Sequence, residues 1–272
     1  PYVTKLHGVE VTEARAVVNG RSIVRRTYTT PVGTVFEDEF REPGTGQWKA
    51  NRSWLSATPW LTAHLIKGPE DYPAVKYIAE NTEYLPDYFP LEQATDWLGE
   101  DGIMVDALPH SPLQMFLIYW VGSEGGSCFL HLADYPELVE DLLRAVSKSR
   151  EPMYEIAAKS PAPASFCGDN VDGGLMGARL FEQYCMPEYE KQAAILHRHG
   201  KLMMVHMDGR LDNIKHLIPR TPVDIIEAFH PLPMGDLPLD EARALWKDKV
   251  IWMGFPASVF HMGPHATIEH ML

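Results

Sequence analysis

The chain has 272 residues, of which 45% are hydrophobic and 22% charged, a balance that excludes a disordered chain and allows a large core. With 24 Lys and Arg against 37 Asp and Glu, the net charge is -13, which excludes a broad nucleic-acid-binding surface. Arg25-Arg26 is too short to make a basic stripe.

The chain starts at Pro1 without an initiator Met and stops at Leu272 inside a helical pattern. Both ends are therefore expected to be cut. Residues 21–40 carry β-branched runs around Pro31-Val32-Gly33, the signature of a hairpin. Residues 42–53, with Gly44, Gly46, Asn51 and Arg52, read as a loop. Trp48, Trp54 and Trp60 in and after it would either line a ligand mouth or pack the loop down. A helix is expected from Pro69 to about Asn81, with proline and acids in its first turn.

From Gly102 onward, short apolar runs alternate with longer amphipathic ones. The short runs, 103–107, 165–169, 202–208, 225–229 and 250–255, are expected to be strands. The long ones, 136–159, 179–199, 211–219 and 239–246, are expected to be helices. That alternation predicts a parallel sheet covered by helices, and the nearly unbroken apolar strands predict burial on both faces. Neither GxGxxG nor GxxxxGK[ST] occurs, so dinucleotide and P-loop folds lose their markers. The expectation is a (β/α)8 barrel with an early hairpin and loop insertion. It is one domain over 1–272, irregular over 1–100 and regular over 101–272.

In such a barrel, function gathers at the C-terminal ends of the strands. Three expected strands end in polar groups, nearly all of them ionisable: Asp169, Asn170 and Asp172; His206 and Asp208; Glu227 and His230. His206 and Asp208, two apart on a strand, project to one side. They would share a divalent ion, form a base and its orienter, or be a hydrogen-bonded His beside a helix cap. Asp169 and Asn170 are candidates for polar substrate groups or for a turn. Glu227 needs a partner, whether a metal, a substrate or Arg210. Cys167 reads as core, and the histidines His261, His265 and His270 have no metal spacing, since Gly263-Pro264 interrupts their helix. The three cysteines, Cys128, Cys167 and Cys185, form no CxxC, so no disulfide framework is expected and a reducing, cytoplasmic setting is. There is no run of about 18 apolar residues for a membrane span and no visible signal peptide.

Three stretches resemble the uroporphyrinogen decarboxylase superfamily. They are Ser111-Pro-Leu-Gln-Met-Phe-Leu-Ile-Tyr-Trp-Val-Gly122; Gly168-Asp-Asn170 through Leu180-Phe-Glu-Gln-Tyr184 to Pro187-Glu-Tyr189; and Gly200 to Gly209, followed by Val223 to Glu227 and by Gly235 to Gly254. The likeness covers roughly residues 100 to 260. It implies a (β/α)8 barrel of one of two branches. One branch decarboxylates uroporphyrinogen without a metal; the other transfers methyl groups to or from the corrinoid of a partner protein, commonly with zinc. In the second branch the zinc motif is His-x-Cys; here His206 keeps the His and Asp208 replaces the Cys. An oxygen-rich zinc site of this kind suits a methyl ether or alcohol better than a thiol.

The resemblance thus implies zinc-assisted, corrinoid-linked methyl transfer, from a small methylated (O-methyl) substrate or to a small acceptor. His206 and Asp208 are the expected metal ligands and Asp169 and Glu227 the catalytic residues. Asn170, Asp172 and Tyr119 are expected at the substrate, and a homodimer is the expected assembly. The alternatives are a metal-free uroporphyrinogen decarboxylase, with Asp169 stabilising a cation or donating a proton, and a non-catalytic barrel that binds a tetrapyrrole or a corrinoid protein.

Overall fold

The computed structural model describes residues 1–40 and 60–271. Trp48, Trp54 and the expected loop at 42–53 lie outside the described residues. The chain divides into two compact units. One holds Val3–Leu85 and Pro112–Pro152; the other holds Pro1–Tyr2, Pro86–Ser111 and Met153–Leu272.

The first unit opens with β1 (Tyr2–Leu6), β2 (Glu10–Val18), β3 (Arg21–Thr30) and β4 (Gly33–Phe40). The expected hairpin is β3–β4, closed where Thr30 faces Gly33. It is the centre of a four-stranded antiparallel sheet in the order β2-β3-β4-β5, with β5 at Trp60–Ala63. β2 was not legible because every one of its residues is exposed, so its sequence lacks the in-out alternation of a half-buried strand. The expected helix at 69–81 is a 3-10 turn followed by α1 (Tyr72–Glu80), and β6 (Thr82–Pro86) pairs with β1.

The second unit begins with α2 (Phe89–Leu98) and β7 (Asp106–Leu108). β7 starts three residues later than the apolar run at 103–107 suggests, since Ile103 is exposed and only Asp106 onward pairs with the next strand.

The chain then completes the first unit. α3 (Pro112–Met115) runs into a π-helical turn at Phe116–Trp120, and α4 (Ser127–Asp134) and α5 (Pro136–Ser149) follow. α5 buries Val139, Leu142, Leu143 and Val146. These stand on one helical face and contribute about 1.5–3 kcal/mol each. The expected helix at 136–159 is in fact two, because α6 (Glu151–Ala158) starts afresh after Arg150. Pro152 has no N–H for the ladder and its ring crowds the carbonyl four residues back, so the first helix stops.

In the second unit the regular pattern resumes with β8 (Ala164–Cys167), α7 (Gly173–Leu180), a π-helical turn at Phe181–Cys185 and α8 (Met186–Arg198). β9 (Leu202–His206), β10 (Ile225–Phe229), α9 (Leu239–Leu245) and β11 (Val250–Met253) come next, then α10 (Ala257–Phe260) and α11 (Pro264–Met271). The expected helix at 211–219 is not one; two 3-10 turns at Asp212–Ile214 and Ile218–Arg220 replace it. Asp236 accepts the N–H groups of Leu211 and Asp212 at 2.7 and 3.0 Å from outside the segment, and Pro219 cannot join an α ladder.

β7 to β11 form a parallel five-stranded sheet in which every neighbour is consecutive in the chain. It is a mixed α/β architecture, and the sheet order contains no reversal. The interior strands are nearly all buried, with Met203, Met204, Val205, Ile226 and Phe229 in the core, as a sheet covered on both faces requires. The three cysteines are free and buried. Among the described residues, no helix is long and apolar enough to cross a membrane.

Candidate active site at the strand ends

The parallel register places Glu227 of β10 directly beside His206, the last residue of β9. Parallel neighbours point to the same face, so the two side chains meet: His206 Nδ1 stands 2.5 Å from Glu227 Oε2. Asp208 approaches from the opposite side of the ring, with Oδ2 3.3 Å from His206 Nε2. The three groups make a row, carboxylate–imidazole–carboxylate, with both ring nitrogens facing an acid. Phe166 of β8 closes the flank edge-on, its ring centroid 6.1 Å from the imidazole. Within the chain Glu227 meets His206, which was not among the partners considered from the sequence. Arg210 goes instead to Asp172, with Nε 3.2 Å from Oδ1.

Glu227 is not fully buried as its apolar neighbours suggest; its side chain is 23% exposed and His206 24%. The next residue, Ala228, has φ 59°, and the β10–β11 register shifts between Ile226 and Phe229. A bulge of this kind re-aims a side chain. Its left-handed backbone costs of order 1 kcal/mol at a non-glycine residue, and it lies at the strand end that carries Glu227. The loop after β9 is held close to that after β8. Gly209 donates its N–H to the Val171 carbonyl at 3.2 Å, and a β-carbon there would stand 2.6 Å from that of Asp172.

Burial alone would pull the His206 pKa down, but hydrogen bonds to Asp208 and Glu227 outweigh it and lift the value to about 9. Asp208 moves the other way: the hydrogen bond to His206 holds its carboxyl below the usual range against the opposing effect of burial. At neutral pH the row is an imidazolium between two carboxylates. A group whose folded pKa lies above its unfolded value of about 6.5 stabilises the fold fully below that value. The contribution is lost as pH rises through about 9. The shift corresponds to about 3 kcal/mol, and solvent screening of a quarter-exposed ring trims it to about 2 kcal/mol. Urea denaturation of the wild type should therefore show about 2 kcal/mol less stability at pH 10 than at pH 6.5. His206→Gln should lack this component of the slope; an identical slope in both proteins would mean that the ring is not the group responsible.

Asp169, expected to be catalytic, follows β8 and is fully buried at 0% exposure. Its Oδ1 accepts the Ser111 N–H at 2.6 Å and its Oδ2 the Tyr189 hydroxyl at 2.8 Å. Its route to the surface is His110, whose Nδ1 lies 3.9 Å from Oδ1 and whose side chain is 20% exposed. Both carboxylate oxygens of Asp169 are thus engaged within the chain. His110 was missed by the sequence reading; its signal was its place just beyond β7, in Asp106-Ala-Leu-Pro-His110. Asn170 is exposed at the end of β8. Asp172 caps α7, accepting the Leu175 N–H at 3.0 Å, and also holds Arg210. His230 packs against Gly254, which leaves no room there for a β-carbon. Cys167 is buried with its thiol 3.6 Å from the Pro109 carbonyl, a core position. The second unit thus brings together His206, Asp208 and Glu227. Tyr119 belongs to the first unit, on the π-helical turn after α3.

The donor set does not fit a zinc ion as it stands. The three side chains face one another in a row instead of converging on a point. Among the described residues, no group of three or more His, Cys, Asp and Glu side chains is arranged to hold one. What the row can do is hold a proton at a ring nitrogen and release it to a substrate.

A scan of protein-family models finds no match to this sequence, and a search of curated proteins finds none either. Among solved structures, a methyltransferase from Methanosarcina mazei is similar, at 15% identity over 79% of this chain and 73% of that one, with a TM-score of 0.45.

Proposed function

We propose that this protein is an enzyme of methyl transfer. It would take a methyl group from the oxygen of a small methylated substrate to a corrinoid carried by a partner protein, with His206 as the general acid. The observation that supports the role is the His206 imidazolium between Asp208 and Glu227; the reaction class comes from the family resemblance of residues 100 to 260. The reduced corrinoid supplies the nucleophilic electron pair when its carrier is bound. As the O–CH3 bond breaks, the oxygen keeps the bonding pair and takes the proton from His206. A positioned acid contributes about 10²–10⁴-fold. Asp208 and Glu227 hold the ring in place and keep it charged until then, while His110 and Asn170 offer polar contacts at the neighbouring strand end. The consecutive parallel strands β7 to β11 would be an arc of a (β/α)8 barrel, whose strand ends carry its chemistry.

A zinc ion on His206 and Asp208, as the resemblance implies, would do the same work as a Lewis acid. It would require the imidazole to lose its proton and turn one nitrogen from its carboxylate. Decarboxylation by Asp169 is the weaker reading, because that carboxylate is buried and both its oxygens are engaged.

The test incubates the full chain with anisole or methanol and chemically reduced cobalamin, following cobalamin methylation by absorbance. Methyl transfer that falls sharply in His206→Gln supports the proposal. Loss of carbon dioxide from uroporphyrinogen, with no transfer from any methyl ether, would replace it with the decarboxylase reading.

A further inference from the structure

The antiparallel sheet of the first unit has two unlike edges. β5 is four residues long, and its pairing with β4 slips between Asp38 and Glu39; short, irregular strands are one way in which proteins blunt a sheet edge. β2 is nine residues long, pairs with β3 without a break from Glu10 to Val18, and is exposed throughout. It has no proline, no lysine and no bulge. Among the described residues, no strand pairs with its outer side. Asn19 and Gly20 join it to β3 with φ 52° and 75°, the two positive values of a tight hairpin turn that holds the strands in register. Val11, Val17 and Val18 are 42%, 74% and 43% exposed. Such an edge offers another strand a full row of backbone donors and acceptors.

The charges on β2 say which strand fits. Val11, Glu13, Arg15 and Val17 alternate onto one face. An antiparallel copy of β2, related by a two-fold axis at Ala14, would set Val11 against the partner's Val17 and Glu13 against the partner's Arg15, each contact occurring twice. The other face would meet in small residues, Ala14 on its own copy and Thr12 on Ala16. A two-fold axis keeps every residue on its face, so the nearest other registers have their axes at Glu13 or at Arg15. Each of those opposes like charges, which destabilises a strand pair. Glu13 already accepts from Arg26 at 2.7 Å, and a carboxylate has lone pairs for a second guanidinium. We propose that β2 is the interface of a two-fold dimer of this chain, in which two sheets join edge to edge with Ala14 on the axis. The same patch serves both copies, so the contact closes on itself. The proposal stands whether or not the methyl-transfer reading does.

The experiment is sedimentation velocity of the full chain at micromolar concentrations, which should show a dimer of the 30.7 kDa chain. Arg15→Glu should weaken the dimer about tenfold or more, because it turns two attractive cross-strand pairs into two repulsive ones. Glu13→Arg should do the same. An equal mixture of the two variants should dimerise again, since each acidic strand then faces a basic one. A second pair of variants reads the register and does not depend on those charges. Ala14→Cys should form a covalent dimer on mild oxidation, the three native cysteines being buried. Val18→Cys should not, because four residues from the axis its two copies would stand about 26 Å apart at about 3.3 Å per residue. If a charge variant does not fold by circular dichroism, the cysteine pair decides. A monomeric wild type, a dimer indifferent to both charge variants, folded variants that fail to dimerise on mixing, or cross-linking at Val18→Cys in place of Ala14→Cys would each overturn the proposal.

Discussion

His206→Gln should lower turnover in methyl transfer by about 10³-fold while leaving the chain folded, since the glutamine amide fills the space between Asp208 and Glu227 but carries no transferable proton. The loss should fall on kcat as much as on kcat/KM, because an acid that acts as the bond breaks is felt in the transition state and not in substrate binding. Glu227→Gln and Asp208→Asn should act through the ring. Each removes one of the two carboxylates that raise the His206 pKa, so each should move the alkaline limb of the pH–rate profile to lower pH. Retention of activity within about threefold in His206→Gln would remove the ring from the chemistry, given the 10²-fold minimum for such a group.

The second large effect is on stability. Asp169→Ala should cost about 3–5 kcal/mol, read from urea denaturation followed by circular dichroism. The carboxylate is fully buried and accepts from the Ser111 N–H and the Tyr189 hydroxyl. Charge-assisted hydrogen bonds contribute about 1.5–3 kcal/mol each, and truncation strands both donors away from water. Asp169→Asn keeps the shape and one acceptor, so its cost should be nearer 1–2 kcal/mol. A cost below about 1 kcal/mol for the alanine variant would mean that water, not the protein, satisfies these groups.

The strands whose residues are buried on both faces were readable before the structure. β10 occupies the five residues its apolar run marks, β9 and β11 fall within their expected windows, and β8 starts one residue before its own. Elements held by other forces were not. β2 is exposed throughout, and its pattern carries no burial signal. The break after α5 depends on one proline, and the 3-10 turn at 212–214 follows on Leu211 and Asp212, whose N–H groups Asp236 accepts from 25 and 24 residues away in sequence.

The site shows the same division. His206 and Asp208 could be paired from their two-residue spacing, since both project from one strand end. Glu227 could be chosen as an acid in an apolar strand, but its partner is set by the β9–β10 register, which a sequence does not print. Asp169 could be named as a polar strand end, yet its complete burial comes from Tyr189 and Ser111, 20 and 58 residues distant. His110 needed the β7–β8 register, because its relation to Asp169 runs between those neighbouring strand ends.

The most direct test of the row is the protonation state of His206 itself. Histidine-selective 15N labelling of the full chain, with His206→Gln to assign the resonance, gives both ring nitrogens in one pH series. The account predicts that both nitrogens carry protons at pH 7 and titrate together near pH 9. A ring that is neutral at pH 7, or that shows one metal-bound nitrogen lost on treatment with a chelator, would contradict it.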